Sequence, residues 1–345
     1  QVLHARWAAG KQGVIVLACE LIDHNGEELL RIMNQYVSDW GWEDEFSQWM
    51  ANDCTVCTTL VDTIVPGRIR DPKEAAAVAE RLGYEDPFLA VREPFQMWGI
   101  QGDESLKERL PFVKAGLPGV FVTPDVTPYK KRKVRILNGA HTAFVPGSWV
   151  AGFDIVRDCM HDETVRGFMN TMLYDEVIPT LATDLDAEDC KAFAAAVENR
   201  FDNPFIDHAL LSICLNSTAK WRARDLPTLK DYVAETGNLP KCLATSLATL
   251  ISFYTQELVS REGDGLHLRR SDGTEYTAQD DAFVLDFYAA RAGADDAELV
   301  HDVLANEQMW GEDLTQIAGL EEFVVNALAV VRSEGVKQAF ANAQA

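Results

Sequence analysis

No run of about 20 apolar residues, the length a helix needs to cross a bilayer, occurs in this 345-residue sequence. The longest apolar stretches, residues 13–19 and 243–253, are short or interrupted by polar side chains, which excludes a membrane-spanning helix. Basic residues are scarce: 31 Lys and Arg face 54 Asp and Glu, leaving a net charge of −23. A nucleic-acid backbone is thereby excluded as the main partner, because binding phosphates needs a surface of Lys and Arg to release counterions. Cysteines are few and odd in number, seven scattered along the chain. That usage fits free thiols in a reducing compartment, the cytoplasm, better than a disulfide framework. The start, Gln1-Val2-Leu3-His4, lacks both an initiator Met and a charged-then-apolar leader, so the chain is expected to be cut from something longer. Neither a Gly-x-Ser-x-Gly elbow nor a Walker-type phosphate loop is present, which removes two large classes of hydrolase. Cys54-Thr55-Val56-Cys57 has no second pair to complete a tetrahedral zinc site and reads as two unpaired thiols. Cys159-Met160-His161-Asp162-Glu163 reads as a helix start or exposed turn, and no metal is assigned.

What is present divides in two. Residues 1–128 mix short β-type runs with amphipathic helices. Val14–Cys19 has the continuous apolar character of a strand buried on both faces of a parallel sheet. Asp23-His24-Asn25-Gly26 then supplies turn and helix-start chemistry, after which Leu29, Ile32, Met33, Tyr36, Val37 and Trp40 recur at helical spacing. A second strand, Thr58–Val65, ends at Pro66-Gly67, and Pro72–Leu82 is an alanine-rich helix stopped by Gly83. Phe95–Ile100 and Gly119–Val122 are further strand candidates. Beyond Pro128 the period becomes helical, with stripes at Val165, Phe168, Met169 and Met172, at Phe193, Val197 and Phe201, and at Leu243, Leu247, Leu250 and Ile251. Residues 129–345 are therefore expected to be all or mostly α, with surface turns at Arg261–Gly265 and Arg270–Thr274. The eight tryptophans, Trp40 and Trp49 among them, read as core.

The most informative stretch is Lys133-Val134-Arg135-Ile136-Leu137-Asn138-Gly139-Ala140-His141. At about 100° per residue, His141 falls about 80° and Asn138 about 140° from Lys133, so the three side chains share one helix face. An amine whose pKa is lowered can exchange a proton with an alcohol, while an amide and an imidazole can donate to a carbonyl oxygen. The set suits carbonyl–alcohol interconversion. The spacing alone equally fits a surface Lys, a capping Asn and a satisfied core His.

Lys133-x4-Asn138-x2-His141 resembles the catalytic signature of the long-chain mannitol dehydrogenase family. The stretch from Cys19 to Gly26 resembles that family's strand-to-helix turn beneath the nicotinamide, and Thr59-Leu60-Val61-Asp62 resembles its Leu-Val-Asp-Arg-Ile segment. Arg200-Phe201-Asp202-Asn203-Pro204-Phe205-Ile206-Asp207-His208 with residues 211–216 resembles its long helical-domain signature, and the stretch from Trp310 to Gln316 its C-terminal one. The similarity runs over nearly the whole chain. It implies an α/β, partial Rossmann-type nucleotide-binding domain at 1–128, its first half absent, followed at 129–345 by a mostly α-helical substrate and catalytic domain of the mannitol dehydrogenase type. It also implies NAD as cofactor and hydride transfer between a carbonyl and an alcohol. Lys133 would be the general acid/base, Asn138 would polarise the carbonyl, and His141 would orient the substrate. Lys130, Lys131, Arg132 and Arg135 are near enough in sequence to lower the pKa of Lys133. Val61 and Asp62 match cofactor-binding positions and Asn25 a substrate-binding one, although Asp62 and Asn25 also fit a strand end or turn without a ligand. Two departures stand out. Thr63 replaces the family's Arg, and no Gly-x-Gly-x-x-Gly pyrophosphate loop exists, the nearest sequence being Gly263-Asp264-Gly265 in a polar turn.

The substrate class is read from charge. Lys220, Arg222 and Arg224 cluster in an otherwise acidic chain, and on a helix Lys220 and Arg224 share one side while Arg222 points away. A carboxylated sugar would want such a site. Lys220 and then Arg224 are the expected substrate-binding residues, and a cationic helix end answering the macrodipole is the competing account of Arg222 and Arg224. The leading expectation is an oxidoreductase interconverting a keto-uronate and an aldonate. A sibling enzyme acting on another sugar acid or on a neutral polyol, and a non-catalytic sugar-acid-binding module, remain open. Oligomeric state is not legible.

Overall fold

The computed structural model describes every residue except Pro66, Arg70, Thr183 and Asp184, so the expected strand end at Pro66 lies outside the described residues. The chain divides into two compact units, Gln1–Lys130 and Lys131–Ala345.

The first unit is α/β. Strand β1 (Ile15–Leu17) pairs in parallel with β2 (Thr55–Cys57), and β3 (Thr59–Asp62) pairs antiparallel with β4 (Met97–Gln101), which runs parallel to β5 (Val120–Thr123). The single strand expected over Thr58–Val65 is thus displaced: β2 and β3 are separate, divided at Thr58, and belong to different small sheets. Cys57, Ile100, Leu106 and Leu110 form one apolar core, flanked by Ile15, Leu17, Trp98 and Val122. Val37, Phe46 and Met50 form a second beneath Trp7, Trp42 and Trp49. Trp40 is a correction. It is 45% exposed and stacks on Tyr36 at 4.7 Å, because its helix, Asn25–Trp40, turns only Val37 of its expected stripe fully inward. The helix Pro72–Leu82 forms as its sequence dictates. The Asp71 carboxylate accepts from the Lys73 and Glu74 amides, Pro72 opens the first turn, and Gly83 closes the last at φ 79°.

The second unit is built around the helix Lys241–Tyr254, in which Cys242 through Tyr254 are all buried. A helix apolar on every side belongs in a core, and burying each Leu, Ile or Phe side chain contributes about 1.5–3 kcal/mol. The helices Gly139–Val150, Leu320–Glu334 and Val336–Ala343 pack around it. Gly147 lets two of them approach, since a Cβ there would lie 2.8 Å from the Phe340 ring and 2.9 Å from Thr249. Every residue of the three helical stripes read from the sequence is buried. One departure from the helical expectation is a three-stranded antiparallel sheet, β6 (Glu257–Glu262), β7 (Gly265–Arg269) and β8 (Glu275–Ala278). The two polar turns expected at its ends are its hairpin connections, the first passing through Gly263 at φ 55°.

Candidate active site

Lys133 ends an α-helix that begins at Thr127, and the chain then makes a π-turn over Val134–Asn138 before resuming α-helix as Gly139–Val150. The Gly139 amide donates to the Val134 carbonyl five residues back. Such a turn is wider than an α-turn, so it rotates Asn138 back toward the face of Lys133. The offset of about 140° given by ideal α-helical spacing is therefore reduced by the wider turn, and His141 follows Asn138 by most of one α-turn. Lys133 and Asn138 are half-buried and His141 is buried.

His141 stacks on Phe201 at 3.9 Å and meets the His208 ring edge-to-face at 5.4 Å. Its Nε2 is buried without a hydrogen-bond partner. Burial, followed by the charges of His208, Arg224, Arg200 and Lys220, holds the imidazole well below its ordinary pKa, so it is neutral near pH 7. An unpaired buried imidazole costs about 1–3 kcal/mol of desolvation, which a structural role would have avoided. The four basic residues come from separate places: Arg200 from the helix Ala187–Phe201, His208 from the loop after it, and Lys220 and Arg224 from the helix Ser217–Arg224. Arg224 Nη1 donates to Thr142 Oγ1 at 3.0 Å, and that hydroxyl donates to the Asn138 carbonyl at 3.0 Å. Lys220 Nζ donates to the Ile213 carbonyl at 2.9 Å, and burial, then Arg224, lowers its pKa. The helix carrying both is strapped at its start, where Asn216 adopts φ 52° and donates its amide to the Gln279 carbonyl, and Thr218 N donates to Asp280. Arg222 points away and lies against Gly311.

Other expectations fare differently. Arg132 pairs with Asp189 and covers the Phe193 ring, Arg135 pairs with Asp231 at 2.6 Å and reaches Thr180, and Lys130 pairs with Asp23. These three cations have local counter-charges. The Asn25 amide is spent on backbone: Nδ2 donates to the Ala18, Glu20 and Thr59 carbonyls and Oδ1 accepts from Thr59 N. It ties the end of β1 to β3 through these backbone bonds. Val61 and Asp62 are the last two residues of β3, opposite Trp98 and Met97, and Asp62 is buried. Thr63 Oγ1 donates to the Phe95 carbonyl at 2.8 Å. The Cys159–Glu163 run is a helix boundary, with Asp162 capping Thr164 and Val165 and His161 paired to Asp202 at 2.7 Å. All seven thiols are free. Cavities of about 320 and 420 Å³ elsewhere in the second unit are lined by none of the site residues named here.

Sequence reading gave no role to Arg200, His208, Thr142 or Asp225. Arg200 and His208 do bracket one quoted motif, and a cation and an imidazole at its two ends were the available signal. Asp225 carries none, since only the fold buries it, with its carboxyl pushed well above the usual range by burial and drawn back by Arg224.

Two family models match the chain. Residues 125–332 match the model of the mannitol dehydrogenase C-terminal domain and residues 1–114 that of the mannitol dehydrogenase Rossmann domain. The altronate oxidoreductase of Escherichia coli O17:K52:H18 is 41% identical over 334 residues, covering 95% of this chain and 65% of that protein. That of Yersinia enterocolitica is 40% identical over 339 residues, covering 96% and 66%. The chain thus spans less than two thirds of the length of these relatives. Among solved structures, Pseudomonas fluorescens mannitol 2-dehydrogenase, a ternary complex with NAD and D-mannitol, superposes with a TM-score of 0.69 at 22% identity, covering 99% of this chain and 64% of that one. A D-sorbitol dehydrogenase in substrate-free form superposes with a TM-score of 0.77 at 21% identity, covering 98% and 64%. These two likenesses concern the fold alone.

Proposed function

The chain belongs to the mannitol dehydrogenase family, and from that premise we propose that it serves an NAD-dependent oxidoreductase interconverting D-tagaturonate and D-altronate. The observation that carries the reading is the unpaired, buried His141 Nε2 amid Arg200, His208, Lys220 and Arg224, an arrangement suited to a small anion with an oxygen to bind. The resemblance of the relatives named altronate oxidoreductase supports the same substrate pair. The substrate carboxylate is held by Lys220 and Arg224. Asn138 donates to the reacting oxygen, the neutral His141 orients it, and Lys133 gives its proton to the developing alkoxide. In the oxidation direction Lys133 takes that proton back.

NADH, when bound, supplies the hydride. The residues that would hold its nicotinamide end are Val61 and Asp62, at the end of β3. Gly26, in the first turn of the helix that opens at Asn25, packs so tightly on the backbone of Cys57 and Thr58 that a Cβ would not fit, the close helix–strand approach that a Rossmann-type unit makes. Val61 and Asp62 fit the nicotinamide end of the cofactor, and residues 1–114 match the Rossmann domain of the family. The seven free thiols support a cytoplasmic setting, and no helix among the described residues is long and apolar enough to cross a membrane.

The test is the ratio of NADH-linked activities on tagaturonate, fructuronate and fructose. Preference for tagaturonate is expected, whereas preference for neutral fructose removes the role given to Lys220 and Arg224. A second reading is a sugar-acid-binding module without a working cofactor half, since the sequence given holds no Gly-x-Gly-x-x-Gly loop. Altronate binding by a chain that gives no NADH fluorescence change on titration would establish that alternative.

A further inference from the structure

We infer that His208 recognises the carboxylate of the sugar acid and takes up one proton from solvent as that carboxylate arrives, so that anionic ligands bind with a proton and neutral ones without. This rests on the sugar-acid reading above and deepens it.

His208 is held in place by its backbone. Its carbonyl accepts from Val156 N at 3.0 Å, and the next residue, Ala209, forms a β-bridge with Ile155. The half-buried ring lies nearly perpendicular to that of His141, 5.4 Å away. No hydrogen bond or ion pair from another described residue reaches its nitrogens, although five of the other six histidines have such a partner for the ring. The groups gathered with it on His141 are Arg200, Lys220 and Arg224. From the neighbouring helix Val156–His161, Arg157 pairs with Asp207 at 2.6 Å and Asp158 stays at the surface. Two more carboxyls stand behind the basic set: Asp225 next to Arg224, and Asp280, which accepts from Thr218 N and Tyr254.

Lys220 and the two arginines attract an anion, but as fixed charges they do not record its arrival. His208 differs. Burial holds its imidazole below its ordinary pKa, so it is neutral near pH 7 without a ligand. A carboxylate brought beside it favours the charged form. The event is one proton gained by one ring nitrogen, with no other bond made or broken. A neutral polyol provides no such charge.

The test follows histidine ring protons by NMR through pH titrations of the chain alone, with D-altronate and with D-mannitol, using His208→Gln for assignment. Calorimetry in two buffers of different ionisation enthalpy counts protons. Altronate is expected to raise the His208 midpoint, to bind with proton uptake, and to bind more tightly toward low pH by up to about tenfold per unit between the free and bound midpoints. Mannitol should do none of these, and His208→Gln should bind altronate several-fold more weakly without uptake. Altronate binding that leaves the His208 midpoint of the wild-type chain unmoved overturns the inference, whatever the variant does. Tagaturonate turnover with an unmoved His208 overturns it while keeping the proposed function. A moved His208 without turnover does the reverse, and neither signal rejects both.

Discussion

Gly139 and Asp225 lie so close that a single methyl group would bring them into collision. A Cβ built on Gly139 comes 2.8 Å from Asp225 Oδ1 and 3.5 Å from the Val134 carbonyl that closes the π-turn. Asp225 is 2% exposed and its Oδ2 has no hydrogen-bond partner, so the carboxyl has little freedom to retreat. The glycine therefore guards the turn that joins Lys133 to Asn138.

Gly139→Ala sets two effects against each other. Alanine favours a helix by about 1 kcal/mol, and overpacking a tight site costs about 1–3 kcal/mol. The collision should win by about 1 kcal/mol, lowering Tm by about 2–4 °C in a unit of this size. Turnover should fall more than stability implies, because the displaced π-turn carries Asn138 and adjoins Lys133. Asp225→Ala in the same chain should recover much of the Tm. A variant as stable and active as the parent would show that the turn tolerates the methyl.

Lys133→Ala removes the proposed proton donor from a half-buried helix end without opening a core cavity. Turnover of tagaturonate should drop by about 10²–10⁴-fold, with melting temperature nearly unchanged. Retained turnover would return Lys133 to an ordinary surface role.

Much of this was legible before any coordinates. The helix Pro72–Leu82 was readable because its cap, first-turn proline and closing glycine act through bonds only two or three residues long. The stripes at Val165, Phe193 and Leu243 were readable because α-helical period and burial coincide there. The sheet β6–β8 was hidden by its polarity, Glu257, Arg261, Glu262, Arg269 and Glu275 all falling within strands. The π-turn was hidden because a period of 3.6 does not announce a local insertion. Arg200 and His208 were quoted but left without a role, since only the fold, which stacks Phe201 and turns His208 edge-on against His141, brings them to it. Asn25 shows the converse, a polar residue at a suggestive turn whose amide the backbone consumes.

His141→Phe separates function from stability. The imidazole Nε2 is buried and unpaired, so replacing it with an apolar ring removes a desolvation cost of about 1–3 kcal/mol while keeping the stack on Phe201. Tm should hold or rise while turnover falls by at least about 100-fold, the pattern expected of a site that trades stability for activity. A marked fall in Tm would instead mean that His141 is a structural residue.

Glu176 predicts a pH dependence whose sign can be worked out. Its carboxylate accepts from the Cys242 and Leu243 amides at 2.7 and 2.9 Å, capping the buried helix Lys241–Tyr254. Burial nevertheless outweighs those bonds and pushes its pKa up to about 7 from 4.5. Between those values the folded chain binds more protons than the unfolded one, so this group's contribution is fully present below pH 4.5 and is lost as pH rises through 7. At 1.36 kcal/mol per unit the change is about 3 kcal/mol. His141, with its pKa lowered, acts in the opposite sense and loses its contribution as pH falls below 6.5. Comparison with Glu176→Gln isolates the glutamate. Denaturant titrations should show the wild type losing ground to the glutamine variant as pH rises from 5 to 8, by up to about 3 kcal/mol. A difference that is flat with pH would place the Glu176 pKa at its ordinary value and make the cap a simple pair of hydrogen bonds.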